Sequence, residues 1–251
     1  IIAAIVDFAG NIKSKSEMNI QKTLDKDSIL DAGINAVKNL LSSSQIKQNK
    51  ILGIGIAVSG SVDYTNGIAV HCSRISGWKN VPLKEIFEKK FSLPVTIGNN
   101  VGFMALGEKL YGAGKNIKNL IYIHFGGGVG AGIIINGEIF HGNNGTAGEI
   151  GHLILKEDGL QCSCGNKGCL ETLVSIPAII KRIKILTEEG NYSFVRGQNA
   201  TNLNDITLEL LCEATNKEDK LMLQLWEEIA HYIGIAISHS VNLLGSEVVI
   251  L

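Results

Sequence analysis

The sequence predicts an α/β fold, and three features carry that expectation. Apolar, β-branched runs at residues 1–7, 51–58 and 120–124 alternate with segments of helical periodicity. A pair of asparagines, Asn99 and Asn100, stands where a short strand hands over to a helix, the edge of an open α/β sheet at which ligands commonly bind. A glycine-rich stretch at 126–132 separates two β segments instead of joining a strand to a helix, which is not the arrangement of a dinucleotide-binding loop.

The elements follow in order. Residues 1–7, a turn at Phe8-Ala9-Gly10-Asn11 and a looser run at 12–20 predict a hairpin. Ser28, with Asp31 three residues on, predicts a helix start of capping-box type, and Ile29, Ala32, Val37, Leu40 and Leu41 give it one apolar face. The strand at 51–58 runs into Ser59-Gly60-Ser61-Val62-Asp63, and short extended pieces and a loop occupy 64–78. Pro82 suits the first turn of a helix over 82–91; a strand at 94–97, a helix at 101–111 and a closing Gly112-Ala113-Gly114 come next. After the strand at 120–124, residues 133–135 resume the sheet and Asn136-Gly137 signals a two-residue hairpin. Helices are expected at 172–186, 205–214 and 217–244, with a polar irregular stretch at 187–204 and a terminal strand at 248–251.

Composition narrows the class. A net charge of −1 supplies no basic footprint for nucleic acid within these residues. No apolar run approaches the ~20 residues of a membrane span, and no signal peptide is read at the start, so a cytoplasmic setting is expected. An apolar strand stands at each end of the chain and the first residue is not Met, so a fragment of a longer protein, truncated at both ends, is expected.

The chemistry concentrates in the stretch GTAGEIGHLILKEDGLQCSCGNKGCLE at 145–171. Three of the five cysteines, Cys162, Cys164 and Cys169, are spaced C-x-C-x4-C, and His152 lies ten residues upstream of the first. Two close thiolates, a third across a glycine-rich turn and one imidazole form a donor set for tetrahedral zinc. The carboxylates Glu149 and Glu171 bracket the set. By itself the glycine run Gly126, Gly127, Gly128 and Gly130 is a weak signal, compatible with backbone approach to a phosphate or with tight hairpin geometry alone.

Taken together, SGSVD, SGWKNVPL, GNNVGFMALGE, FGGGVGAGIIINGEIFHG, GTAGEIGH and CSCGNKGCLE resemble the ROK family of repressors, open reading frames and sugar kinases, in family order along the whole chain. The resemblance implies a two-lobed sugar kinase, actin-like (ribonuclease H-like) fold with a sugar cleft between lobes. The expected lobes are residues 1–99, completed by about 240–251, and residues 100–239 with the zinc loop. It also implies sugar-bonding roles for Asn99, Asn100, Glu149, His152 and Glu171, with Ser73 as a further hydroxyl contact. Zinc on His152, Cys162, Cys164 and Cys169 would then be structural, locking the loop that presents His152 and Glu171.

Two positions depart from the family's kinases. These carry Asn-Asp at the strand-to-helix corner, where the Asp is general base; here the second residue is Asn100, whose amide cannot take a proton near neutral pH. They carry Gly-Thr-Gly in the glycine loop; here Gly127 stands in the Thr place. The family's Asp-x-Gly-Gly-Thr loop would precede Ile1. The reading is therefore a sugar-responsive effector domain of a bacterial ROK transcriptional repressor of carbohydrate-utilisation genes, with no catalytic residue. Operator DNA would be bound by a helix-turn-helix domain upstream, in a homodimer or homotetramer. An ATP-dependent hexose or N-acetylhexosamine kinase is the alternative.

Overall fold

The computed structural model describes residues 1–19, 25–72, 75–189 and 206–251. The chain is mixed α/β, as expected, and forms two compact units: Ile1–Asn116 with Glu138–Ala147, and Ile117–Gly137 with Gly148–Leu251.

In the first unit, β1 (Ile2–Val6) and β2 (Ile12–Glu17) pair antiparallel in the predicted hairpin. Asp7 Oδ1 holds the turn by accepting from the backbone N–H groups of Ala9 and Asn11. Helix α1 (Lys26–Ser43) starts earlier than the Ser28 signal predicts. Asp25 is its N-cap, accepting from Ser28 N at 2.9 Å, so the carboxylate three residues upstream takes the orphan donor. Strand β3 (Ile54–Val58) pairs parallel with β7 (Val95–Asn99). Between them lie a small antiparallel sheet, β4 (Ser61–Asp63), β5 (Ile68–His71) and β6 (Lys79–Val81), and helix α2 (Leu83–Phe91) behind Pro82. Helix α3 (Asn100–Tyr111) follows β7 without a loop, and the short strand β10 (Glu138–Ile139) belongs to the same unit. Val62, Trp78, Val81, Leu83, Phe87 and Ile97 form the centre of this unit's core.

The second unit is built on β8 (Leu120–Phe125) and β9 (Val129–Ile135), antiparallel, with β11 (Val248–Ile250) parallel to β8. The expected helix at 172–186 is two helices, α4 (Leu170–Val174) and α5 (Ile176–Glu188). They break at the buried, extended Ser175, where Pro177 belongs to a new first turn. Helices α6 (Leu208–Asn216) and α7 (Lys220–Leu244) are capped by Thr207 and Asp219. Ile123, Leu170, Ile183, Leu211, Met222 and Ile229 pack in one core.

Helix α3 groups with the first unit. Strand β11 groups with the second, where it pairs with β8. A parallel pairing across more than a hundred residues leaves no local signal, because its hydrogen bonds are non-local. Of the stretch expected to be irregular at 187–204, residues 190–204 lie outside the described residues, and α5 extends to Glu188. Among the described residues no helix is long and apolar enough to cross a membrane.

Candidate metal centre and polar residues around it

The loop leading to the metal centre is fixed to β9 by glycine backbone. Ala131 N donates to Gly148 O at 2.7 Å. A Cβ on Gly148, whose φ is +87°, would lie 1.9 Å from Ala131 O, and one on Gly151 would lie 2.3 Å from Val129 O. No other residue allows that approach. Glu149 and His152 project from this tethered segment, which forms a short 3-10 turn over Ile150–His152.

Beyond it the chain folds back in a compact knuckle. Cys162 N donates to Asn166 O, Gly165 N to Cys162 O, and Gly168 N to Leu160 O. Bridges pair Ile154 with Cys169 and Gln161 with Lys167. Gly168 has φ +69°, and a Cβ there would meet Lys156 O at 1.6 Å. The result converges four side chains: His152, Cys162, Cys164 and Cys169 place one ligand atom each within 4.8 Å of one another. His152 Nδ1 is 3.6 Å from Cys162 Sγ, and Cys164 Sγ is 3.6 Å from Cys169 Sγ. With Zn–S near 2.3 Å and Zn–N near 2.0–2.1 Å, a tetrahedral site has ligand–ligand edges of about 3.5–3.8 Å, so these separations suit zinc. Cys162 and Cys169 are buried and Cys164 is exposed. Burial and the neighbouring thiols push the Cys169 thiol up to about 12, whereas the Asn166 backbone N–H holds Cys164 below the usual thiol value. Binding of a divalent cation by these residues would require the thiols to give up their protons.

The second ring nitrogen of His152 is 3.7 Å from Glu149 Oε2. Nδ1 faces the thiols, and the Glu149 carboxylate lies near the other ring nitrogen, beyond hydrogen-bonding distance. Glu171, in the first turn of α4, accepts from Val129 N at 2.9 Å and so joins the cysteine loop to the end of the glycine stretch. That stretch is a tight turn between β8 and β9, with Gly126 N donating to Gly128 O. None of Gly126, Gly127 and Gly128 has a positive φ, so turn conformation does not demand glycine at any of the three. A Cβ on Gly126 would meet the His124 ring at 2.6 Å, so a larger residue there would require that ring to shift. Gly127 is exposed.

The two asparagines lie on the first unit and differ in what they do. Asn99 is the N-cap of α3: Oδ1 accepts from Val101 N at 2.8 Å and Gly102 N at 3.3 Å, and Nδ2 donates to Gly60 O at 2.9 Å. Its backbone N–H donates to Tyr64 Oη. The strand-to-helix handover predicts this cap directly, and the sequence reading gave Asn99 to a ligand alone. Asn100, half-buried, is the first helical residue, and no hydrogen bond among the described residues engages its side chain. Ser73 lies outside the described residues. Asn99→Ala is therefore expected to lower stability by about 1–2 kcal/mol, through the lost cap and the stranded Gly60 carbonyl, in a chemical denaturation series.

A mixed α/β chain with a histidine–tricysteine cluster, set in a loop between a β-hairpin and a helix, defines the class. The chain belongs to the ROK family, which it matches over residues 1–251. Among its relatives is a glucokinase from Halalkalibacterium halodurans, 34% identical over 253 residues, covering 99% of this chain and 75% of that protein. A xylose repressor from Caldicellulosiruptor bescii is 34% identical over 245 residues, covering 98% of this chain and 61% of the repressor. A crystal structure of a ROK family transcriptional regulator, homologous to the Escherichia coli MLC protein, superimposes with a TM-score of 0.88 at 28% identity, covering 99% of this chain and 61% of that one. The family therefore contains both kinases and repressors, and the chain spans about 61% of the length of the xylose repressor and of the transcriptional regulator it matches.

Proposed function

We propose that this chain is the sugar-binding effector part of a ROK transcriptional repressor. Asn100 carries the reading. It opens α3 where the resemblance to the family's kinases places a general base, and its side chain is an amide. An amide orients a hydroxyl but cannot remove its proton, and a lost base lowers rates by about 10²–10⁴-fold. Gly127 in place of a hydroxyl residue in the glycine loop supports the same conclusion. The repressor relatives support operator DNA as the partner of the full-length protein; a helix-turn-helix upstream and a homodimeric or homotetrameric assembly belong to the same reading.

Asn100, Glu149, His152 and Glu171 are the sugar-bonding groups in this reading, with Ser73 as a further contact. Asn99 contributes what its capping role leaves free, one amide N–H. A structural zinc on His152, Cys162, Cys164 and Cys169 fixes the orientation of His152 toward Glu149. Sugar binding regulates by population shift, favouring the state to which it binds more tightly.

Titration calorimetry with a panel of hexoses, N-acetylhexosamines and pentoses tests this. One sugar is expected to bind without ATP, with affinity at least about tenfold weaker in Glu149→Gln, where a directed hydroxyl acceptor is replaced. Silence with every sugar would overturn the reading. An ATP-dependent hexose kinase is the second reading, favoured by the glucokinase relative.

A further inference from the structure

The cysteine knuckle is gripped from outside by a side chain that is no member of the ligand set. Gln161, exposed and next to Cys162, turns its amide nitrogen Nε2 onto three backbone carbonyls of the knuckle. Nε2 donates to Gly165 O at 3.0 Å and to Asn166 O at 3.2 Å, with Cys162 O at 3.5 Å, the outer limit of a hydrogen bond. The two N–H groups of a primary amide match the two nearer acceptors. The surroundings also decide which end of the amide points inward, since an oxygen there would face three other oxygens. The backbone of Gln161 is joined to the same loop by its bridge to Lys167.

We propose that Gln161 is a positioning residue for the metal centre: by holding the Gly165 carbonyl it aims the Asn166 N–H at the Cys164 sulfur, and so places that ligand. This rests on the reading of His152, Cys162, Cys164 and Cys169 as a zinc site. The route is a single peptide group. Gly165 C=O and Asn166 N–H belong to one planar trans peptide, so they point in opposite directions. Gln161 holds the oxygen end, and the hydrogen end donates to the Cys164 thiol. Rotation of that plane would break both contacts together.

Cys164 is the ligand that needs such help. Cys162 and Cys169 are buried and held by packing, whereas Cys164 is exposed. Ser163, Gly165 and Asn166 beside it are exposed too, and a Cβ on Gly165, at φ +99°, would meet nothing within 4 Å. The other backbone bonds of the turn, Gly165 N to Cys162 O and Cys162 N to Asn166 O, close its ends and leave this peptide plane free to turn. An exposed side chain loses rotamer freedom when it binds a metal. A donor already fixed at its sulfur lowers that cost, as outer-shell partners of metal ligands do.

Gln161→Met in the full-length protein tests this, because it keeps the length of the side chain and removes the donor. Zinc affinity, read by competition with a chromophoric chelator, is expected to fall about 10–100-fold. Cobalt(II) loaded in place of zinc should show a changed thiolate-to-metal absorption. The metal-free melting temperature should stay that of the wild type, because Gln161 lies on the surface. Equal zinc affinity and an identical cobalt spectrum would overturn the proposal. So would a lower metal-free melting temperature with zinc affinity unchanged, the mark of a residue that only stabilises the loop. A wild-type protein that takes up neither metal would remove the zinc reading and this proposal with it, whereas wild-type binding matched by Gln161→Met removes this proposal alone.

Discussion

Cys164→Ser is expected to abolish stoichiometric zinc and to lower stability by more than about 2 kcal/mol. The size of that effect separates two accounts of the same residue. Cys164 is exposed, and an exposed cysteine with no special role should tolerate serine within about 0.5 kcal/mol. As one of four ligands it cannot be spared, because a hydroxyl is a poor substitute for a thiolate on zinc and the binding free energy of a structural metal is folding free energy. The wild-type chain should carry about one zinc by metal analysis. Chelator should lower its melting temperature, and the variant should melt near the chelated wild type. Unchanged metal content and melting temperature in Cys164→Ser would remove zinc from the account. Cys169→Ser is a weaker discriminator, since Cys169 is fully buried and a polar replacement is costly with or without metal.

Gly148→Ala should be nearly as damaging, at about 2–4 kcal/mol. The residue sits at φ +87°, where a side chain adds strain, and its Cβ would overlap Ala131 O at 1.9 Å. The overlap is with strand backbone, so no side chain can move aside. Relief requires the loop to lift from β9 and to lose the Ala131 N–H donation to Gly148 O. For a chain of this size such a loss lowers the melting temperature by about 4–16 °C. The displaced segment carries Glu149 and His152, so zinc content and sugar affinity should fall together with stability. Gly165→Ala is a useful control: it also has a positive φ, but a Cβ there meets nothing within 4 Å, so only the strain component is expected.

The cysteine cluster was legible because a ligand set with short spacing needs only a turn to bring it together. The structure places all four predicted ligand atoms within 4.8 Å. The hairpins at Phe8–Asn11 and Asn136-Gly137 were legible for the same local reason, and so were the amphipathic faces of α2 and α7. What escaped was non-local. Nothing near residue 248 announces that β11 lies beside β8. Nothing in the letters GEIG says that both glycines press against the carbonyls of β9. Asn99 and Asp25 show a different failure. Each has the residue type and position of an N-cap, and in each case a more conspicuous neighbour or role drew the reading away.

The central claim is that a sugar is sensed and not phosphorylated, and it rests on Asn100. A coupled ADP-release assay on the full-length protein, across the same panel of sugars and with ATP and magnesium, tests it most directly. The account predicts binding of one sugar with no sugar-dependent ADP release above the rate without protein. Sustained turnover of any hexose by the wild type, with its asparagine in place, would contradict it.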